Sequence, residues 1–275
     1  MTTFLFWNIN GKPLHKNIAS IVQTYHVDVV MLAEYDENKT VPGDLLQLLN
    51  QYEQTAYYFL PGETCKKIWI FSRFSDIHLK LIDDGKHFTA RHLTLPGLPS
   101  ILMVISHLPS KLRSSEFEQA LEMPLFAQKI RQLEQQVNHA RTILVGDLNM
   151  NPFEHGVTYL KGLHATLSLA QAKKGGRKSG NESYPYFYNP MWNFFGDFTP
   201  GSPGTYYYDK GKDNFWHIFD QVMLRPALLD YFNISNLQVL DNDGEVPLLE
   251  EGVPKLSDHL PILFTLTLPQ GDSSW

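Results

Sequence analysis

Short apolar runs, several of which end on a polar or charged side chain, constrain this chain more than any other feature of its sequence. Their length and their content of β-branched and aromatic residues predict strands rather than helices. A strand end presents a polar side chain on a rigid support without burying an unpaired charge, so we expect a site where several of these ends meet. The runs cover residues 3–9, 27–37, 66–73, 87–95, 100–108, 141–152, 216–226, 233–240 and 260–268.

Two segments between these runs have the spacing of helices. Apolar residues recur at helical intervals over residues 14–26 and predict a helix there. Residues 114–139 predict a long amphipathic helix that buries one apolar face and bends at Pro124. The residues that set these intervals are Ile18, Ile21, Val22, Tyr25, Phe117, Leu121, Leu125, Ile130, Leu133 and Val137.

The order of the elements mixes hairpin-like pairs of strands with helices. That order favours an α/β (α+β) arrangement of two packed sheets flanked by helices over a doubly wound parallel sheet. A chain of 275 residues fits one such domain, and no repeat or convincing linker divides it. We therefore predict a single domain over residues 1–275, with a long loop or insertion at about 167–215, where the regular pattern breaks down.

Composition limits where the protein works and what it binds. Neither a secretory signal nor an apolar run of about 18 residues is found, so no export signal or membrane span is predicted. The single cysteine, Cys65, excludes an intrachain disulfide, which fits a cytoplasmic protein. A net charge of -6 argues against nucleic-acid binding through bulk positive charge, although a cation held by carboxylates would offset part of that charge.

The segment GDLNMNP places Asp147 and Asn149 two residues apart at the end of an apolar run. In a strand that spacing puts both side chains on one face, where a carboxylate and an amide can share a phosphate. The alternative is an ordinary turn in which the Asp147 side chain caps the next segment.

His259 follows Asp258 in LSDHLP, directly before the last apolar run. Adjacent side chains point in different directions, so the partner of His259 is expected elsewhere. Asp220 is the natural candidate, because a charge inside the apolar run IFDQVML costs several kcal/mol unless it is paired. A carboxylate there would fix the tautomer of the imidazole and favour its cation. The alternative is a buried aspartate that backbone amides satisfy.

Glu34 and His107 each stand at the end of an apolar run. The Glu34 carboxylate is the kind of hard oxygen ligand that Mg²⁺ and Mn²⁺ prefer. His107 can donate a hydrogen bond to a phosphate oxygen. The alternatives are a surface glutamate and a structural histidine.

Taken in order, these motifs resemble those of the endonuclease/exonuclease/phosphatase superfamily. Each motif is weak alone, but chance would have to reproduce all of them in the family's order over residues 7–261. They are WNING with Asn8 and Asn10, LAE with Glu34, SHLPS with His107, GDLNMNP with Asp147 and Asn149, FDQVML with Asp220, and SDHLP with Asp258 and His259.

The resemblance implies a four-layer α/β/β/α sandwich and a divalent-metal-dependent phosphodiesterase that uses Mg²⁺ or Mn²⁺. It implies that Glu34 holds the metal, that Asn8 and Asn10 assist its water shell, and that Asp258 joins through water. Many nucleases of this family carry aspartate where this chain has Asn10. Because a charge is lost there, we expect one tightly held metal.

The resemblance also implies the roles of the other motif residues. Asp147 would orient or deprotonate the attacking water. Asn149 and His107 would hold the scissile phosphate. His259, oriented by Asp220, would stabilise the charge that develops in the transition state.

Residues 167–215 combine cations with aromatic side chains. Such a segment could hold single-stranded nucleic acid or a flipped base. The alternative is a solvated basic turn followed by a locally packed aromatic cluster. The residues assigned to substrate binding are Lys173, Lys174, Arg177, Lys178, Tyr186, Tyr188, Trp192 and Tyr206.

A nuclease that cleaves DNA or RNA by in-line attack of water is the leading functional hypothesis, with nucleic acid as its partner. The same chemistry fits a phosphatase or phosphodiesterase for lipid head groups or small nucleotides. A catalytically inactive binding module is a third hypothesis, and the retention of every expected catalytic residue type argues against it.

Overall fold

The computed structural model describes residues 1–51, 56–111, 115–197, 200–211 and 215–268. The strands are β1 (Thr2–Asn8), β2 (Val29–Ala33), β3 (Tyr58–Leu60), β4 (Ile68–Ser72), β5 (Leu79–Gly85), β6 (Phe88–Leu93), β7 (Ile101–His107), β8 (Thr142–Asp147), β9 (Ala165–Thr166), β10 (Gly176–Ser179), β11 (Glu182–Pro185), β12 (Phe187–Tyr188), β13 (Tyr206–Tyr207), β14 (Trp216–His217), β15 (Asp220–Leu224), β16 (Gln238–Val239), β17 (Leu249–Glu250), β18 (Val253–Pro254) and β19 (Ile262–Leu266). The α-helices are α1 (His15–Tyr25), α2 (Pro42–Gln51), α3 (Glu116–Gln136), α4 (His155–Thr158) and α5 (Leu169–Ala172), and 3₁₀ helices cover Pro190–Phe194, Pro226–Tyr231 and Ile234–Asn236.

Two large mixed sheets form the centre of the molecule. Within the described residues, sheet 1 has six strands in the order β16-β19-β1-β2-β4-β3, and sheet 2 has seven in the order β5-β6-β7-β8-β15-β12-β9. Strands β1 and β2 are parallel, as are β7 and β8, whereas β15 is antiparallel to β8 and β19 to β1. The α/β sandwich of two mixed sheets expected from the sequence is thereby confirmed.

Apolar side chains cover both faces of each sheet, which explains why the strands are continuous apolar runs. In β1, Phe4 and Phe6 point into the space between the sheets, and Leu5 and Trp7 point to the outer side with α1 and α2. On the outer side of sheet 2, strands β7 and β8 pack against α3. Each large side chain buried in this way contributes roughly 1.5–3 kcal/mol. The layers therefore run α1 and α2, sheet 1, sheet 2, α3.

Helix α3 begins with a capping box. Ser115 Oγ accepts from the backbone N–H of Glu118, and the Glu118 carboxylate accepts from the backbone N–H of Ser115 at 2.7 Å. Pro124 lies inside the helix, as expected. Across the ranges that the structure describes, no helix is both long and apolar enough to cross a membrane.

The prediction of which residues form the buried face of α3 is wrong for the first half of the helix. Phe117, Leu121 and Leu125 are 72%, 59% and 70% exposed. The buried row contains Met123 and Ala127 instead. The two rows are offset by two residues, which is about 200° around a helix, so only one of them can face sheet 2. The exposed row faces mainly solvent.

Other differences from the sequence-based expectations concern local elements. Helix α2 and strands β3 and β5 were not predicted. The predicted strand over residues 233–240 is reduced to β16, which follows a 3₁₀ turn. The expected loop at 167–215 carries α5, the β10–β11 hairpin, β12 and β13. The predicted helix start at residue 114, the parts 198–199 and 212–214 of that segment, and residues 269–275 of the predicted domain lie outside the described residues.

Gly146, the residue before Asp147, allows β7 and β8 to approach closely. Its φ is +153°, and an added Cβ would lie 1.9 Å from the backbone oxygen of Ser106. Gly146→Ala is therefore expected to lower the free energy of unfolding by roughly 3 kcal/mol or more, measured by urea denaturation. Gly43→Ala, where the nearest atom lies 3.9 Å away, is the control and should change stability by less than about 0.5 kcal/mol. Equal stability of the two variants would contradict this assignment.

Candidate active site

The candidate site lies along one edge of the two packed sheets, where several strands end together. Strand β1 ends at Asn8, which is paired with Ala33 at the end of β2. Glu34 directly follows Ala33 in the chain. In sheet 2, His107 and Asp147 are paired at the ends of β7 and β8, and Asp147 is also paired with Asp220 at the start of β15. Because β15 and β19 run antiparallel to their neighbours, their beginnings meet the ends of the other strands at this edge.

His107 links the carboxylates of the two sheets. Its Nε2 lies 3.1 Å from Glu34 Oε1 and 3.7 Å from Asp147 Oδ2. The Asn8 amide donates to Asp147 Oδ2 at 3.0 Å. The structure therefore brings Asn8, Glu34, His107 and Asp147 into one contact group, although they come from four separate strand ends.

Strand β8 ends at Asp147, so Asn149 does not continue it and the chain turns there instead. The backbone N–H of Asn149 donates to Asp147 Oδ1 at 2.9 Å, which is the turn expected as the alternative. The same turn fixes the carboxylate so that Oδ2 faces the histidines. The Asn149 side chain donates to the Leu108 carbonyl at 2.9 Å, so it lies beside the residue that follows His107.

His259 and Asp220 form a buried pair. His259 Nδ1 lies 2.7 Å from Asp220 Oδ2, and His259 Nε2 lies 4.0 Å from Asp147 Oδ2. The backbone N–H of Asp220 donates to Thr205 Oγ1 at 3.0 Å. An acceptor on Nδ1 assigns the proton to that nitrogen and leaves Nε2 facing Asp147 Oδ2.

The charges of this pair follow from their surroundings. Burial by itself lowers the pKa of His259, but the nearby carboxylates of Asp220, Asp147 and Asp258 outweigh that effect and raise the pKa to about 10. Burial raises the pKa of Asp220 to about 6, while the charge of His259 opposes the rise. At neutral pH the pair is therefore an imidazolium beside a carboxylate.

Glu34 stays ionised over the whole physiological range. The hydrogen bond from His107 lowers the pKa of its carboxyl to about 2, against the effect of burial. Glu34 and Asn10 both have left-handed backbone, with φ of +55° and +47°. Non-glycine residues adopt that conformation at a cost in free energy, and such residues cluster at functional sites.

The donor set around Glu34 fits a hard divalent cation. Asn10 Nδ2 donates to Asp258 Oδ1 at 2.9 Å, and Asn10 lines the same cleft as Glu34, so the three residues offer carboxylate and amide oxygens at this edge. Such oxygens suit a cation that keeps part of its water shell. A second group, Asp147, Asp220 and His259, has ligand atoms within 4.8 Å of one another. Asp220 is less suited to a metal, because its Oδ2 is bound to the His259 imidazole and the residue is fully buried.

Aromatic rings border this group of contacting residues on the side of His259. The Tyr206 ring lies 4.5 Å from the ring of His259 and 5.1 Å from Phe219, centroid to centroid. His217 stacks on Phe219 at 4.6 Å, and Lys111 Nζ lies 5.5 Å from the centre of the Phe219 ring. Burial and the carboxylates nearby raise the pKa of Tyr206, so its hydroxyl stays protonated. We refer to Tyr206, His217 and Phe219 as the aromatic rim.

His217, Phe219 and Lys111 were not among the residues predicted from the sequence. His217 and Phe219 stand three and one residues before Asp220, so their closeness to a predicted catalytic residue was the available signal. Trp192, which was predicted, belongs to the same side of the molecule. Its ring lies 6.0 Å from that of Phe153, just after the GDLNMNP segment.

The structure does not bring the remaining predicted substrate-binding residues to the site. Tyr188 is paired with Leu224, at the other end of β15 from Asp220, which is roughly 13 Å away at about 3.3 Å per residue. Arg225 holds the carbonyls of Pro185 and Tyr186 at 3.0 and 3.1 Å, which fixes the β10–β11 hairpin at that far end. The residues concerned are Lys173, Lys174, Arg177, Lys178, Tyr186 and Tyr188, of which both tyrosines are buried.

A cleft of about 1020 Å³ is lined in part by Glu34 and His107, whereas the residues of the aromatic rim do not line it. Its walls carry both charges: lysines come from the β3–β4 and β5–β6 connections and from the segment after Glu34, and carboxylates come from that same segment and from α3. The charged residues of these walls are Asp36, Glu37, Lys39, Lys66, Lys67, Lys86, Glu118 and Glu122.

Comparison with known proteins identifies the relatives of this arrangement. A sequence profile described as the Endonuclease/Exonuclease/phosphatase family matches residues 5–259. No curated protein matches significantly.

Solved structures with a similar fold include truncated TDP2 from Caenorhabditis elegans, with 16% identity, coverage of 96% of this chain and 97% of that one, and a TM-score of 0.56. The 3′ phosphatase NExo from Neisseria, bound to a product DNA hairpin, has 15% identity, coverage of 97% and 99%, and a TM-score of 0.56. An AP endonuclease from Archaeoglobus fulgidus has 14% identity, coverage of 97% and 99%, and a TM-score of 0.56. At these identities the likeness establishes the fold.

Proposed function

Because this chain belongs to the Endonuclease/Exonuclease/phosphatase family, whose members are divalent-metal-dependent phosphoric ester hydrolases, we propose that it is a nuclease that cleaves DNA or RNA. The family resemblance seen in the motifs is confirmed by the profile match over most of the chain. The observation that carries the nuclease proposal is the aromatic rim beside His259. Tyr206 and His217 are partly exposed and pack on Phe219, which is buried, so the two outer rings can stack on the bases of a substrate.

The site residues divide the work of hydrolysis between them. Asp147 accepts a hydrogen bond from the attacking water and aligns it with the phosphorus. The His259 imidazolium, held in orientation by Asp220, donates from Nε2 to a phosphate oxygen that gains charge. Asn149 and His107 hold the scissile phosphate between them. Because these groups lie on strand ends, the geometry is set before substrate binds.

We propose Mg²⁺, with Mn²⁺ as a substitute, as the metal of this site. Glu34 would bind it directly, with Asn10 and Asp258 as further oxygen donors through water. When bound, the metal supplies a positive charge that offsets the negative charge of the phosphate. A single site is proposed, because Asn10 adds no charge for a second ion.

Two of the fold relatives support nucleic acid as the substrate class. The Neisseria protein is a 3′ phosphatase bound to a DNA hairpin, and the Archaeoglobus protein is an AP endonuclease. The same fold therefore accommodates a DNA hairpin in at least one other protein. Phosphoesters of lipid head groups and of small nucleotides use the same chemistry and are compared directly in the assay below.

A substrate panel with and without metal tests the proposal. Labelled single-stranded DNA, duplex DNA, RNA, inositol phosphates and sphingomyelin are incubated with Mg²⁺, with Mn²⁺ or with EDTA. We expect hydrolysis of at least one nucleic acid with either metal, complete loss with EDTA, and recovery when excess Mg²⁺ is added. Glu34→Gln should raise the Mg²⁺ concentration for half-maximal activity by about 10-fold or more.

Glu37→Gln is the matched control, since Glu37 lines the same cleft three residues away from the metal ligand. Its requirement for Mg²⁺ should equal that of the unmodified protein. Cleavage that continues undiminished in EDTA would contradict the metal assignment. Hydrolysis of lipid or inositol phosphates without any cleavage of nucleic acid would replace the nuclease proposal by the second hypothesis.

A further inference from the structure

A second cavity, of about 340 Å³, adjoins the catalytic cleft beneath the first half of α3. Its walls are mainly apolar and include two phenylalanine rings, Phe88 and Phe126, whose centroids lie 5.9 Å apart at 55°. Aromatic rings and methionine thioethers form polarisable surfaces that suit a flat aromatic ligand. The apolar wall residues are Phe88, Leu108, Pro109, Met123, Leu125, Phe126 and Met150.

This base cavity, as we name the space lined by those seven residues, is continuous with the catalytic cleft. Lys86, His87, Leu108, Pro109 and Glu122 line both. Leu108 directly follows His107. A ligand in the base cavity would therefore lie next to a phosphate held near His107, and Lys86, which lines both spaces, would supply a cation.

One buried polar group in the cavity wall lacks a partner. Gln119 is 3% exposed, and its Nε2 donates to the carbonyls of Pro109 at 2.9 Å and Asn149 at 3.4 Å. These two acceptors fix which end of the amide is nitrogen, because an oxygen could not face two carbonyls. Over the part of the chain that the structure describes, Gln119 Oε1 has no hydrogen-bond partner. A buried acceptor without a donor is costly, and a ligand that brings an N–H group would satisfy it.

We propose that the base cavity binds the base of a nucleotide adjoining the scissile phosphate and prefers a base with an exocyclic amino group. The inference rests on the proposed nuclease function and names a further element of its substrate. The unpartnered acceptor favours an amino-bearing base over an acyl chain, which has no donor to offer. Gln119 also contacts the Asn149 carbonyl, so occupation of the cavity is coupled to the segment that holds the phosphate.

Two leucines on α3 provide a matched pair for the test. Leu125 and Leu121 stand one helical turn apart and are 70% and 59% exposed, but only Leu125 lines the base cavity. Because both are largely exposed, tryptophan at either position is tolerated without repacking a core. Leu125→Trp is expected to obstruct the cavity and to raise KM for an oligonucleotide by at least about tenfold, whereas Leu121→Trp leaves KM unchanged.

Substrates without bases separate binding in the cavity from chemistry. An oligonucleotide with abasic residues on both sides of the cleaved bond should be hydrolysed equally by both variants and the unmodified protein. Adenine is replaced by purine, which lacks the amino group, on either side of the cleaved bond in turn. On one of the two sides this replacement should lower kcat/KM by about tenfold. In Leu125→Trp the adenine and purine substrates should have equal kcat/KM.

Two results would overturn the inference while leaving the nuclease function in place: equal KM values for Leu125→Trp and Leu121→Trp, or equal cleavage of the adenine and purine substrates. If Leu125→Trp impairs hydrolysis of sphingomyelin instead, the cavity holds an acyl chain and the base assignment is wrong. If the unmodified protein cleaves no oligonucleotide but hydrolyses a small phosphoester, the proposed function fails and the inference falls with it.

Discussion

Asp147→Asn is expected to reduce the rate of hydrolysis by roughly 10⁴-fold, the upper range for loss of a general base. The substitution keeps the shape of the side chain and one oxygen, so the turn to the Asn149 N–H can persist. It removes the negative charge that faces the Nε2 atoms of His107 and His259. The neutral amide of asparagine cannot accept a proton from the attacking water, and it attracts that water less strongly than a carboxylate does. Single-turnover rates on the substrate identified in the panel measure the effect.

Asp230→Asn is the control for this variant. Asp230 pairs with Lys173 at 3.2 Å at the far end of sheet 2, and its side chain is 84% exposed. Its removal should leave the rate within about twofold, since exposed ion pairs contribute little. Circular dichroism should show that both variants are folded. A residual rate for Asp147→Asn within tenfold of the unmodified protein would exclude Asp147 as the group that activates water.

Asp220→Asn is expected to lower kcat by roughly 10²–10³-fold, comparable to the loss of one group that stabilises transition-state charge. Asp220 touches no substrate, so its effect passes through His259. An asparagine can turn its N–H toward Nδ1 and favour the wrong tautomer, and it removes the charge that keeps the imidazole cationic. The protein should remain folded, because the volume of the side chain is unchanged.

The pH dependence distinguishes this positioning role from a general loss of structure. The pKa of His259 is raised to about 10, so activity that depends on the imidazolium is present below that pH and is lost as pH rises through it. Without the Asp220 carboxylate the pKa of His259 falls, and the alkaline loss of activity should move to lower pH. Asp83→Asn, which removes a carboxylate paired with Lys129 in the same sheet, should leave the profile unchanged. An identical alkaline limit in Asp220→Asn would contradict the assigned role.

The positions missed from the sequence share a physical cause. His217 and Phe219 lie in an apolar and aromatic segment whose composition fits a packed strand as well as a binding surface. Their position beside His259 depends on the bridge between Tyr206 and His259, which joins segments far apart in the chain. Helix α2 buries only Leu45 and Leu49, so its periodic signal is short. The base cavity likewise lies where α3 meets β6, and no local sequence pattern predicts it.

The sequence alone determined most of the long strands, the order of the motifs and the residue types at the strand ends, because the length and composition of an apolar run and its polar terminus are local properties of the chain. From these, the grouping of Asn8, Glu34, His107, Asp147 and His259 could be predicted. Only the tertiary structure decided which face of α3 is buried and at which end of sheet 2 the basic hairpin lies. Those outcomes depend on the antiparallel pairing of β12 with β15 and on contacts between residues distant in sequence, and a periodic pattern specifies neither.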